Sequence, residues 1–267
     1  MDVSLTDGTV VHVDVAGQGS SVVLLHGVMM SGRFFGEQLA GDLPKSHELI
    51  VPDYRGHGAS EKVQHGHTVA HYAQDLRDVL ASLATVRPVL VGWSMGAMVA
   101  WEYVKRYGCD SVAGIVVVDQ PPSDFGWEGY EFGLMTVEGL AENVKGIQTD
   151  QRAVAETFAD LMQHAPLPER SAWIVEEIMK VPAAVASTIL TDQTLRDYRS
   201  FLPVLTCPCL VAFGLDPKMN DPSAGQMISD AIPGSEFVTF ENSSHMPFLE
   251  EPGIFDSLLT RWISNLP

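Results

Sequence analysis

Five residues, Gly92-Trp-Ser-Met-Gly96, put a serine between two glycines where a short β-branched run gives way to a helical one. A serine hydroxyl is a poor nucleophile unless its Oγ stands clear of the chain, beside a base and backbone donors, which requires a sharp turn at the serine. Gly92 and Gly96 leave room for that turn. The run ending at Val91 is bounded by turn residues, and Met95 to Tyr107 repeats apolar residues at helical spacing. The context is strand, elbow, helix, and Ser94 is the candidate nucleophile.

Two further segments supply the other parts that acyl transfer needs. Val22 to Leu25 is an apolar run ending in His26-Gly27, and the loop there can aim the backbone N–H of Val28 at a substrate carbonyl beside the N–H of Met95. That pair is the candidate oxyanion hole. Near the end of the sequence Ser235 to Phe240 reads as a strand, and His245 in the following loop is the candidate base.

These segments need a framework. Strand-like runs at Val10–Val15, Val22–Leu25, Leu49–Val51, Val89–Trp93 and Ile115–Val118 alternate with helical stretches near Arg33–Ala40, Ala70–Leu83 and Met95–Tyr107. The alternation predicts an α/β fold, a doubly wound and mostly parallel sheet covered on both faces. From about Ser123 to Tyr198 the pattern is helical, interrupted by Pro166, Pro168 and Pro182, and reads as a cap. Alternation resumes with Cys209–Phe213, Pro222–Ala231, Phe237–Phe240 and Pro252–Ile263. The expected division is a core over residues 1–120, a helical cap over 121–203 and the rest of the core over 204–267.

With His26-Gly27, Asp53-Tyr-Arg-Gly-His-Gly58, Gly92-Trp-Ser-Met-Gly96 and Ser244-His-Met-Pro-Phe-Leu-Glu-Glu-Pro252 in this order, nearly the whole chain resembles the α/β-hydrolase superfamily. It looks closest to the small cofactor-free esterases, lactonases and non-haem haloperoxidase-like proteins. The resemblance implies a Ser–His–acid triad, with the acid usually three residues past a strand-ending glycine after the cap. Three past Gly214 stands Pro217, with Asp216 one residue early and its backbone pushed toward extended conformations by that proline. Asp119 ends the apolar run Ala113–Val118 at the carboxyl end of a central strand, where ligand crevices of such sheets form. Asp119 is favoured, with Asp216 as the alternative acid. Haloalkane dehalogenases and epoxide hydrolases are argued against, since they need an aspartate where Ser94 stands.

Bulk properties fit one enzyme of this kind. A chain of 267 residues with 46% hydrophobic composition can bury a large core. A net charge of −18 repels nucleic acid and anionic membrane surfaces, so neither is an expected partner. The start Met1-Asp-Val-Ser-Leu-Thr-Asp lacks a signal-peptide pattern, and no run reaches the roughly 18 apolar residues of a span. Cys109, Cys207 and Cys209 form no framework. A cytoplasmic address and a monomer or homodimer are the expectations, with no cofactor. His67, His71 and Asp75 would share one helical face, but the family resembled needs no metal, and none is expected.

The expected chemistry is attack by Ser94 on an ester or lactone carbonyl and hydrolysis of the acyl-enzyme, with a small apolar or aromatic substrate. The expected substrate-binding groups are His26, Met29, Met30, Trp93, Phe125, Trp127, Met246 and Phe248, since methionine and aromatic side chains line adaptable pockets. A second enzyme class is carried beside it. The resemblance extends to cofactor-free dioxygenases that cleave 3-hydroxy-4(1H)-quinolone rings, where His245 would deprotonate the substrate and Ser94 would only orient it. A binding module without catalysis is the third class, disfavoured by an intact Ser94, His245 and acid.

Overall fold

A computed structural model of the protein describes residues 1–267. Its framework is an eight-stranded sheet made of β1 (Asp2–Ser4), β2 (Val10–Ala16), β3 (Ser20–Leu25), β4 (His47–Pro52), β5 (Val89–Trp93), β6 (Gly114–Val118), β7 (Cys209–Gly214) and β8 (Glu236–Phe240). The spatial order is β1-β2-β4-β3-β5-β6-β7-β8. β1 and β2 run antiparallel to their neighbours, and every pairing from β4 to β8 is parallel. This is the doubly wound α/β architecture expected from the alternating pattern.

β5 and β6 are buried at every position, which is why they read as continuous apolar runs rather than alternating ones. Helices α1 (Gly36–Ala40), α2 (Val69–Ser82) and α3 (Met95–Tyr107) follow in the first half of the chain. Thr68 caps α2 by accepting the His71 amide. α3 packs so closely that a Cβ at Gly96 would collide with the carbonyl oxygen of Leu25 on β3, so only glycine allows this approach.

Between β6 and β7 the chain leaves the sheet and forms α4 (Val137–Leu161), α5 (Pro168–Ile178) and α6 (Ala183–Thr194). Pro168 starts α5 and Pro182 immediately precedes α6, as proline at a helix start allows. The stretch 123–136, expected to be helical, is instead loop, held by a bridge between Phe125 and Met135. Its Gly126, Gly129 and Gly133 work against a helix. After β7 come α7 (Ser223–Ala231), α8 (Pro247–Glu250) and α9 (Pro252–Ser264). No helix is long and apolar enough to cross a membrane.

Candidate active site

Beyond the carboxyl end of each of three strands stands a residue in left-handed backbone. Met29 follows β3 with φ 60°, Ser94 follows β5 with φ 53°, and Asp119 follows β6 with φ 48°. Such conformations cost side-chain-bearing residues on the order of 1–3 kcal/mol and persist only where the surroundings impose them. At Ser94 the constraints are visible. Its N–H donates to Val118 O at 3.0 Å, its carbonyl accepts from Ala97 at 2.8 Å, and its side chain makes no protein hydrogen bond.

His245 lies in the loop between β8 and α8, with Nδ1 2.8 Å from Asp119 Oδ1. Both residues are almost wholly buried. Asp119 takes two more hydrogen bonds on its carboxylate: Oδ2 accepts the Gly214 N–H at 3.0 Å and Oδ1 accepts Asn220 Nδ2 at 2.7 Å. With Nδ1 donating to the carboxylate, Nε2 carries the free lone pair of the neutral ring. The other candidate acid, Asp216, pairs with His164 Nδ1 at 2.9 Å and lies 3.8 Å from Lys218 Nζ, at the edge of the site. The structure therefore joins His245 to Asp119 and leaves Asp216 outside. Asp216 meets His164 of the segment between β6 and β7, the insert, while Asn220, four residues on, reaches the Asp119 carboxylate.

Gly27 and Val28 pass directly over Ser94, where a Cβ at Gly27 would lie 3.2 Å from Ser94 Cβ. The Val28 N–H donates to no backbone acceptor, and Met95, as the first residue of α3, has none within its helix. His26 shapes this loop from beneath. Its Nε2 accepts the Tyr54 N–H at 3.2 Å, so Nδ1 carries the proton and donates to Gly27 O at 2.8 Å. Burial lowers the His26 pKa to about 4 and, with the neighbouring His26 charge as the next cause, lowers that of His57 to about 3.

Those two histidines set an acid limit on stability. Each binds a proton in the unfolded chain near pH 6.5 but not in the fold, so stability is lost as pH falls below about 6.5 and levels off below the folded values. At pH 5 the loss relative to neutral pH is about 2 kcal/mol for each group. Urea unfolding at pH 7.5 and pH 5 is expected to show it. His57→Gln should flatten the dependence, and an unchanged slope would mean His57 is not held neutral.

Ser94 and His245 open on one cavity of about 230 Å³. Among the expected substrate-binding residues, Met30 and Trp93 line it, as does the candidate oxyanion donor Val28. The others do not. His26 and Met29 are buried beneath the loop, and Met246 is buried behind His245. Phe248 packs tilted against Phe35 at 4.7 Å and edge-on to Trp93 at 5.0 Å, as core. Phe125 and Trp127 pack on each other at 4.8 Å, with Trp127 Nε1 bonded to Ser123 Oγ at 2.8 Å. Most of the remaining apolar wall comes from the insert, through Leu134, Met135, Phe158, Leu161, Met162 and Leu190.

The insert is also tied to the loop that carries His245. Met162 O accepts the His245 N–H at 3.1 Å. Glu250 accepts the His164 and Ser244 amides at 2.7 and 2.9 Å, and Lys218 Nζ donates to the Gln163 and His164 carbonyls at 2.9 and 2.7 Å.

The histidine-rich α2 region forms no comparable centre: Asp75 is held in a two-pronged pair by Arg55 at 2.6 Å, and His67 bonds Val63 O and Tyr72 OH.

A family model described as Alpha/beta hydrolase family matches residues 22–256 of this arrangement. The chain belongs to that family. Among alpha/beta hydrolases it is similar to a pimeloyl-[acyl-carrier protein] methyl ester esterase of Vibrio vulnificus, 27% identical with 92% of this chain and 95% of the relative covered. Two solved structures share its alpha/beta hydrolase fold. An esterase from Exiguobacterium antarcticum superposes with a TM-score of 0.94 at 24% identity, over 99% of both chains. The esterase RhEst1 from a Rhodococcus species has a TM-score of 0.87 at 28% identity, over 100% of this chain and 99% of that one.

Sequence reasoning missed Asn220, which holds the Asp119 side chain and main-chain carbonyl at 2.7 and 2.9 Å. It also missed Gln120, Asp124, Gln193 and Thr194, which line the cavity. The available signal was position: Gln120 and Asp124 follow immediately on the strand end that carries Asp119.

Proposed function

We propose that this protein is a serine hydrolase that cleaves a carboxylic ester or lactone of apolar character through an acyl-enzyme on Ser94. The observation that carries the reading is the buried 2.8 Å contact between His245 Nδ1 and Asp119 Oδ1, on a histidine that opens with Ser94 onto one cavity. The Asp119 carboxylate fixes the His245 tautomer, so Nε2 takes the Ser94 proton as Oγ, free to rotate, attacks the carbonyl carbon. Negative charge then develops on the carbonyl oxygen. The amides of Val28 and Met95 hold it, each contributing about 3 to 4 kcal/mol by analogy with single-donor deletions elsewhere. His245 returns its proton to the leaving alcohol, then activates water to hydrolyse the acyl-enzyme.

Ester chemistry is supported by the names of the relatives at 27% and 28% identity, both esterases. Apolar substrate character is supported by the methionine, leucine and phenylalanine side chains of the cavity wall.

The test is covalent. Rapid quenching with an activated aryl ester is expected to add the acyl mass to the intact protein, on the peptide containing Ser94. Oxygen consumption on a 3-hydroxy-4(1H)-quinolone, with no adduct from the ester, would instead assign His245 to cofactor-free oxygenation.

A further inference from the structure

One corner of the cavity is polar, and a carboxylate there meets no cation. The Asp124 carboxylate lies there, 9% exposed, and lines the cavity. Its Oδ1 accepts Gln120 Nε2 and its Oδ2 accepts Gln193 Nε2, both at 2.6 Å. No cation pairs with it. Arg196, whose carbonyl accepts Ser123 Oγ at 2.7 Å close by, is committed to Asp192 and Glu102.

A carboxylate offers about four acceptor positions, and two are used. Gln193 and Thr194, which line the same cavity, carry side-chain oxygens without a hydrogen-bond partner, the Thr194 hydroxyl being donor as well as acceptor. Buried polar atoms are ordinarily paired, so the two unused acceptor positions of a carboxylate in a cavity wall are open to a donor carried by a ligand. The corner is also built to hold its shape. Asp124 O accepts the amides of Leu134 and Met135 at 2.9 Å, and Gln193 anchors the carboxylate to α6. Burial pushes the Asp124 pKa up, and a donor from a ligand would favour the anion.

We propose that Asp124, flanked by Gln120 and Gln193, forms a recognition subsite for a neutral hydrogen-bond donor, a hydroxyl or amide N–H, carried by the substrate whose carbonyl reaches Ser94. The assignment rests on the cavity being the hydrolytic site. It narrows the substrate class from any apolar ester to one with an apolar body and a single donor away from the scissile bond. A site that pairs a substrate OH or NH discriminates strongly against the analogue lacking it, because its own acceptor is then left unmet. A charge-assisted hydrogen bond supports a preference of about tenfold to a hundredfold.

The test is a series of aryl esters of constant acyl length, in which successive chain positions carry a hydroxyl, an amide N–H or an ammonium group, compared with the all-alkyl ester. In the wild-type enzyme at least one neutral-donor ester is expected to exceed the all-alkyl ester in kcat/KM by about tenfold or more. In Asp124→Asn that ratio should fall to about threefold or less, and Gln193→Met provides a second variant that loosens the same carboxylate. No preference in the wild type would overturn the proposal, as would a preference for the ammonium ester alone. So would Asp124→Asn lowering every ester equally together with the melting temperature, since that is the mark of a purely structural tie to α6. Absence of any Ser94 acyl adduct faults the hydrolytic reading separately. Thermal-shift titration with the matching ketones then reads the same donor preference without turnover.

Discussion

Ser94→Ala is expected to lower turnover of an activated ester by on the order of 10⁵ to 10⁶ while leaving the fold intact. The size follows from the unit behaviour of a nucleophile and its base, where loss of either removes nearly all covalent catalysis and leaves only binding and oxyanion stabilisation. Ser94 Oγ makes no hydrogen bond with the protein, so alanine removes no structural contact there. The left-handed backbone at Ser94 is set by the Val118 and Ala97 hydrogen bonds on either side of it. The measurements are kcat for an aryl ester and the intact mass after quenching, with circular dichroism as the folding control. Turnover within tenfold of the wild type would exclude Ser94 as the nucleophile.

Asp119→Asn is expected to cost on the order of 10⁴ in kcat, the size seen when a triad carboxylate elsewhere is replaced by its amide. An amide at position 119 can present its NH₂ to His245 Nδ1, which then becomes the acceptor and moves the ring proton to Nε2. The nitrogen facing the nucleophile can no longer take a proton. Asn220 Nδ2 and the Gly214 N–H, both donors to the present carboxylate, would compete for the single remaining oxygen. Asp216→Asn serves as the comparison, because Asp216 meets a half-exposed His164 and not His245. It should change kcat by less than about threefold, the scale of an exposed ion pair. Equal losses in the two variants would remove Asp119 from its role.

The strand, elbow and helix around Ser94 were legible because their causes are local. Val89 to Trp93 is an apolar run buried on both faces, two glycines permit the turn, and α3 occupies the bounds its apolar spacing predicts, Met95 to Tyr107. Asp119 was legible as the end of an apolar run at a strand's carboxyl edge. β1 was not, since three residues with one buried side chain carry too little pattern to register.

The cavity wall was hardly legible at all. Which faces of α4 and α6 point at Ser94 depends on how the insert lies across the sheet, and nothing in the local sequence of Phe158 or Leu190 records that. Phe125 and Trp127 had the residue type expected of a pocket, yet their rings meet each other and Ser123 instead. Neither residue type nor closeness to a strand end separated core from lining, as the buried His26, Met29 and Met246 show.

The bond from the His245 amide to Met162 O, with the Glu250 and Lys218 contacts around it, has a mechanical consequence. The insert cannot swing away from the sheet at this corner without dragging the histidine's loop along. Leu134 and Asn143, which line the same cavity, make no such tie to that loop. Exchanging the insert for a foreign one would reset not only which molecules fit but also where His245 stands, so breadth of substrate choice and placement of the histidine can drift apart only by changes that spare that corner.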